Sequence, residues 1–146
     1  MDAIDRDIIE VMKGNGRATA SEISRKVNLS VPAVSERIRK LEESKIIEQY
    51  TIKVNRQNMG YKLLAMIFVN IDQTENIDHF RKIITDMEEV LECHHLAGEY
   101  DFMLKVLLKD TAELEHFLSN RVKLIKGVKK SNTLIALTTL KEQMNR

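Results

Sequence analysis

Residues 21–43 read SEISRKVNLSVPAVSERIRKLEE, and the first half of the fold follows from them. Ser21 is placed to cap a helix whose apolar residues Ile23 and Val27 stand four apart on one face. Asn28-Leu29-Ser30 then makes a tight turn. Ser30 is a good N-cap for the next helix, and Pro32 falls in its first turn, where a missing N–H costs nothing. Val34, Ile38 and Leu41 form a narrow apolar stripe along that helix. At about 100° per residue, Pro32, Glu36, Arg39 and Glu43 fall opposite the stripe, with Ser35 and Lys40 on its flanks. Two helices joined by a tight turn, the second largely exposed and polar, are what a helix-turn-helix reader of the major groove requires. Ser35, Glu36 and Arg39 are candidates for base edges, and Arg25, Lys26 and Lys40 for phosphates. Ser30 and Pro32, at the start of the exposed helix, complete that set. A purely structural or protein-binding helical module would share the same pattern, so the motif by itself leaves both readings open.

Upstream, Ile4, Ile8, Val11 and Met12 recur at helical spacing until Gly14-Asn15-Gly16 ends the helix. Downstream, residues 45–54 (KIIEQYTIKV) are rich in β-branched side chains and alternate from Tyr50 to Val54, which predicts a strand and a winged variant of the motif. Residues 55–61 (NRQNMGY) are a polar, glycine-containing break. The expected organisation is a DNA-binding domain over 1–54, a linker over 55–61 and a second domain over 62–146.

The second part follows different patterns. Leu63 to Ile71 is an apolar run of strand length, and Ile77, Phe80, Ile84 and Met87 predict a helix over Asn76 to Met87. Val90–Ala97 and Asp101–Leu108 read as strands separated by Gly98-Glu99-Tyr100. Asp110 or Thr111 caps a second helix bearing Leu114, Phe117, Leu118 and Ile125, and Val128 to Leu140 reads as a last strand. The order β-α-β-β-α-β is the ferredoxin-like arrangement, so the fold class is α+β: a winged helix-turn-helix followed by a ferredoxin-like domain. Helices cover one face of such a sheet. The apolar residues of the other face call for a dimer through the sheets or for a ligand at a subunit boundary.

Composition sets the outer bounds. The chain has 146 residues, 23 Lys plus Arg against 22 Asp plus Glu, and is 43% hydrophobic, which excludes a wholly disordered chain. Lone Cys93 cannot form an internal disulfide and suits a reducing compartment. The acidic N-terminus is unlike a signal peptide, and the apolar run Leu63–Val69 is too short to span a bilayer, so a cytoplasmic protein with no membrane partner is expected. The net charge of +1 hides an asymmetry. Between Arg17 and Lys40 six basic residues (Arg17, Arg25, Lys26, Arg37, Arg39, Lys40) face only Glu22 and Glu36, an excess that can steer a polyanion.

From Ile4-Asp5-Arg6-Asp7-Ile8-Ile9, through Glu22–Val27, Leu29–Val34 and Arg37–Glu42, to Ile46–Thr51, the chain resembles the Lrp/AsnC family of transcription regulators. Leu91–His94, Ala97–Phe102 and Gly127–Lys130 extend the resemblance through the second domain. It departs where Asn28 stands in place of the usual turn glycine, and Asn also tolerates the left-handed conformation. The resemblance implies a regulator that binds double-stranded DNA, forms dimers that associate further, often to octamers, and binds an amino-acid effector between subunits. It places that effector near Gly98, Glu99, Tyr100 and Asp101, with Thr133 on the last strand close by. Asp101 suits an ammonium, and the backbone N–H groups around Gly98 suit a carboxylate. The alternative reading is a small-molecule-binding or assembly module without amino-acid response.

Cys93, His94 and His95, with His79 and His116 elsewhere, do not make a metal-ligand pattern, because adjacent strand residues point to opposite faces. No nucleophile elbow, Walker loop or His-Glu metal motif occurs, so neither a cofactor nor catalysis is expected.

Overall fold

The computed structural model describes residues 1–145, so Arg146, the last residue of the expected second domain, lies outside the described residues. The chain divides into two compact units: Met1–Lys53 with the C-terminal residues from Gln143, and Val54–Glu142.

The first unit holds α1 (Ala3–Gly14), α2 (Ala20–Val27) and α3 (Val31–Glu43). Both α1 and α2 open with reciprocal caps. In α1 the Asp5 N–H donates to Asp2 Oδ1 at 2.9 Å and the Asp2 N–H to Asp5 Oδ2 at 3.0 Å. In α2 the capping pair is Thr19 with Glu22, not Ser21 as the sequence suggested. Ser21 sits one residue inside the helix, where its carbonyl accepts from Ser24 Oγ, and Thr19 with Glu22 three residues on satisfies two end N–H groups at once. The core is small: Ile8, Ile23, Val34 and Leu41 are its buried residues, with Ile38 and Ile47 packed partly against it. A core of this size leaves caps and ion pairs a larger share of the stability.

Residues 45–54 form no strand. Lys45, at φ 58°, turns the chain out of α3, and the N–H groups of Ile46 and Ile47 both close back on the Leu41 carbonyl. Beyond Ile47 no described backbone pairs with the segment, and Ile52 is 77% exposed. β-branched composition favours a pleated backbone but cannot supply the second strand that makes a ladder. Tyr50 instead donates its hydroxyl to Glu42 at 2.6 Å; partial desolvation and that carboxylate push the phenol up to about 12.

The second unit contains β1 (Leu63–Ile71), α4 (Ile77–Thr85), β2 (Val90–His95), β3 (Phe102–Leu108), α5 (Thr111–Phe117) and β4 (Val128–Ile135). All pairings are antiparallel and the sheet order is β2-β3-β1-β4, the ferredoxin-like topology. Buried residues alternate along β1 and β3: Ala65, Ile67 and Val69 lie across from Val106, Leu104 and Phe102 and face α4 and α5. Phe80 of α4 meets Phe102 with ring centroids 4.9 Å apart. Met66, Phe68 and Asn70 occupy the opposite, open face with Met103 and Lys105.

Several boundaries differ from those read in the sequence. A short 3-10 turn (Thr74–Asn76) precedes α4, because Asn76 is buried and its amide binds the Asp72 carbonyl instead of capping a helix. α5 widens into a π-helical turn over Leu118–Val122. β2 stops at His95, and β4 stops at Ile135 rather than Leu140. Leu137 and Leu140 are each 96% exposed, since the chain beyond Ala136 has run past the end of β1 and lost its ladder partner. No helix among the described residues is long and apolar enough to cross a membrane.

Candidate functional site

The helix-turn-helix is built by three local choices. Asn28 takes the left-handed conformation (φ 60°, ψ 42°) that ends α2, and the Leu29 N–H closes on the Ser24 carbonyl. Ser30 Oγ accepts from the Ala33 N–H at 3.4 Å, and Pro32 sits in the first turn of α3. Val34 and Leu41 are buried and Ile38 half-buried, which holds the opposite face of α3 outward. Arg25, Lys26, Ser30, Pro32, Ser35, Glu36, Arg39 and Lys40 are all exposed. Arg25 and Lys26 occupy the last turn of α2, where the helix dipole favours cations.

The polar face of α3 is internally paired. Arg39 Nε and Nη2 grip the Glu36 carboxylate at 2.9 and 2.6 Å, its other nitrogen binds Glu43, and Lys40 stands 3.6 Å from Glu36. The Arg39 guanidinium therefore holds the Glu36 carboxyl below the usual range, and Glu36 raises Arg39 in turn. Exposed pairs of this kind are weak and screened, so a phosphate or base edge can compete for Arg39.

Arg37 is different from its neighbours. Its Nη1 binds Asp2 at 2.8 Å and Asp5 at 2.7 Å, tying α3 to the start of α1. It thus leaves the basic cluster that the sequence assembled, a diversion set by residues 32 and 35 positions away. Both carboxyls are held below their ordinary value, first by each other's backbone N–H and then by Arg37.

In the second unit Gly98–Asp101 form the turn between β2 and β3. Asp101 is its anchor: its N–H donates to the Val69 carbonyl (3.0 Å) and Asn70 Oδ1 (3.2 Å), and its carbonyl accepts from Leu96 (2.8 Å). Its Oδ2 accepts the Ile71 N–H at 2.7 Å, while among the described residues Oδ1 takes no hydrogen bond. Tyr100 packs on Phe68 with centroids 5.5 Å apart, and the Lys130 ammonium lies 5.4 Å over its ring. Lys130 also reaches Glu99 at 3.7 Å. Phe68, Asn70 and Lys130 therefore join the loop residues, although reading the sequence did not single them out. They share a face only once β1, β3 and β4 are in register.

Thr133 does not join them. It pairs with Ile67 and so shares the helix-covered face, whereas Asn132 lies across from Phe68 on the open face. The single-residue offset moves the candidate hydroxyl to the other side of the sheet.

Cys93, His94 and His95 have structural partners, Cys93 packing against the core of the second unit. His94 pairs with Glu92 at 3.2 Å, while His95 stacks on Phe102 and meets Arg81 at 3.0 Å from its Nδ1. Burial pushes the Cys93 thiol up, against a smaller opposing effect of Arg81.

An exposed, capped recognition helix joined in one chain to a ferredoxin-like domain defines a DNA-binding transcription regulator with a ligand-binding domain. Residues 1–48 match the family model for winged helix-turn-helix DNA-binding, and residues 64–146 match that of the Lrp/AsnC ligand binding domain. The HTH-type transcriptional regulator FL11 of Pyrococcus abyssi is 34% identical over 97% of this chain and 93% of its own. The leucine-responsive regulatory protein of Klebsiella pneumoniae is 28% identical over 97% and 88% of the two chains. A transcriptional regulator of Neisseria meningitidis, solved as an L-Met complex, superposes with a TM-score of 0.95 at 28% identity, covering 99% of this chain and 94% of that one. The chain belongs to the Lrp/AsnC family of transcription regulators.

Proposed function

We propose that this regulator, divided as DNA-binding domain (1–54), linker (55–61) and ligand-binding domain (62–146), reads duplex DNA with α3 and adjusts its assembly to a free amino acid. Ser35, Glu36 and Arg39 take the base edges; Arg25, Lys26 and Lys40 take phosphates, with Ser30 and Pro32 setting the helix start. The observation that carries the effector reading is Asp101 Oδ1, which takes no hydrogen bond among the described residues and stands next to Tyr100, itself packed on Phe68, in a loop with exposed backbone at Gly98. Asp101 takes the ammonium, the loop N–H groups take the carboxylate, and the aromatic pair receives an apolar side chain. The L-Met complex of the Neisseria relative supports this ligand class. Chains associate as dimers and further, to an octamer or a similar assembly in the cytoplasm, without catalysis. An effector that prefers one assembly shifts the population toward it and changes the spacing of paired recognition helices.

The test combines melting temperature and sedimentation of the protein against the common amino acids, with and without duplex DNA. A shift confined to one or a few amino acids, with a change of oligomer, supports the reading. DNA binding with no response to any of them overturns the effector half. On the DNA side, Arg39→Ala weakens binding to a preferred sequence, and Lys40→Ala lowers the slope of log Kd against log salt by about 0.9 if it neutralises one phosphate. Unchanged binding by both variants overturns the assignment of α3.

A further inference from the structure

The second unit carries a basic surface that the effector reading does not use. Residues 57–146 hold 12 basic and 13 acidic groups, a net −1, yet the ten residues from Arg121 to Lys130 (RVKLIKGVKK) hold five basic and none acidic. The rest of that stretch, with 7 basic and 13 acidic groups, carries −6, so the positive charge is concentrated at one corner. Two of the five cations are occupied: Arg121 binds Glu89 at 3.0 Å and Lys130 reaches Glu99. Lys123, Lys126 and Lys129 are exposed and have no acidic partner among the described residues. Asp72, on the abutting loop, is turned toward Asn76, whose amide lies 3.3 Å from its carboxylate.

The corner is rigid. Val122 and Ile125 are buried in the core on either side of Lys123 and Leu124, and the Val128 N–H closes the turn on the Ile125 carbonyl. Gly127, at φ +93°, packs directly against Asn76, and its carbonyl accepts from the Asp72 N–H at 2.8 Å. Three like charges fixed within seven residues repel one another, and a polyanion relieves that repulsion without reordering the backbone. Leu124, 73% exposed between the lysines, offers an apolar contact to sugar.

We propose that Lys123, Lys126 and Lys129 form a second, sequence-independent DNA contact in the ligand-binding domain, gripping phosphates of duplex DNA; the proposal rests on the DNA-binding reading. Such a contact adds affinity and salt dependence but no base preference.

The test uses the full-length chain and a long mixed-sequence duplex. The salt dependence of Kd is measured for the wild type, for the triple variant Lys123→Gln, Lys126→Gln, Lys129→Gln, and for each single variant. Each single change is expected to lower the slope by about 0.9 and the triple by about 2–3 per chain, with the ranking of preferred sequences unaltered. Amine-labelling mass spectrometry adds a readout that slope alone lacks: DNA should shield these lysines in the wild type. Slopes equal to wild type, or lysines labelled as fast with DNA as without it, overturn the proposal while leaving α3 as the DNA reader. Shielding by anionic phospholipid vesicles but not by DNA overturns it as well. If the wild type itself fails to bind at low salt, the DNA-binding reading fails first, and the Arg39→Ala comparison separates the two cases.

Discussion

Asp101 has one task in the structure and a second in the proposed function, and two substitutions separate them. Its Oδ2 accepts the Ile71 N–H at 2.7 Å, a short bond that fixes the end of β1 to the turn before β3. Asp101→Ala removes the acceptor and leaves a partly buried N–H unpaired, at a cost of about 1–3 kcal/mol. For a domain of this size that lowers Tm by roughly 5–20 °C. Asp101→Asn keeps an oxygen acceptor and exchanges a charge-assisted bond for a neutral one, so it should cost no more than about 1 kcal/mol. Both variants abolish the charge proposed to face the effector ammonium. A charge-assisted bond contributes roughly 1.5–3 kcal/mol, so effector affinity should fall about 10- to 150-fold in either. Urea denaturation followed by circular dichroism reads the first quantity, and titration calorimetry with the responsive amino acid reads the second. The reasoning is refuted if Asp101→Asn binds the effector as tightly as wild type, or if Asp101→Ala is as stable as Asp101→Asn.

At Gly127 an added Cβ would meet Asn76 Cβ at 2.5 Å at a φ of +93°, so Gly127→Ala should destabilise by about 2–5 kcal/mol in urea melts. In an Asn76→Gly background the same change should cost only the backbone strain of about 1–2 kcal/mol. The reciprocal cap of Asp2 and Asp5, reinforced by Arg37, gives the helical unit a pH dependence of known sign. Asp2 and Asp5 titrate below their ordinary 3.8 in the folded chain, so their stabilisation is complete above that value and lost as pH falls through the depressed values. Arg37→Gln should make the acid limb of melting temperature against pH shallower but not abolish it, because the reciprocal backbone bonds remain, and should leave the salt slope of DNA binding unchanged. Replacing left-handed Asn28 by Gly should raise stability by up to about 1 kcal/mol, read as a higher urea midpoint at constant m-value.

What the sequence determined by itself was local. Ser30 followed by Pro32 is a signal spanning three residues, and the stripe Val34, Ile38, Leu41 spans two turns. A helix satisfies its own backbone within four residues, so periodicity and caps were enough to place α1, α2 and α3 and to aim Ser35, Glu36 and Arg39 outward. Even here the sequence reading put the α2 cap at Ser21, and the reciprocal bond between Thr19 and Glu22 moves it two residues upstream. The β-α-β-β-α-β order was legible because short apolar runs and helical periodicity alternate along the second half of the chain.

Everything that depended on a distant partner required the tertiary structure. A strand exists only beside another, so the β-branched residues 50–54 stayed without a ladder and β4 ended where β1 no longer accompanied it. Register decided the make-up of the proposed effector site: side chains alternate every residue, and the pairing of Ile67 with Thr133 put Thr133 on one face and Phe68, Tyr100 and Lys130 on the other. Arg37 is locally indistinguishable from Arg39, yet one is captured by α1 and the other stays in the exposed face of α3. Burial of Val122 and Ile125 turned a basic run of sequence into a fixed corner of three outward lysines. Local chemistry chose the elements, and packing chose which of their side chains remain available to a ligand.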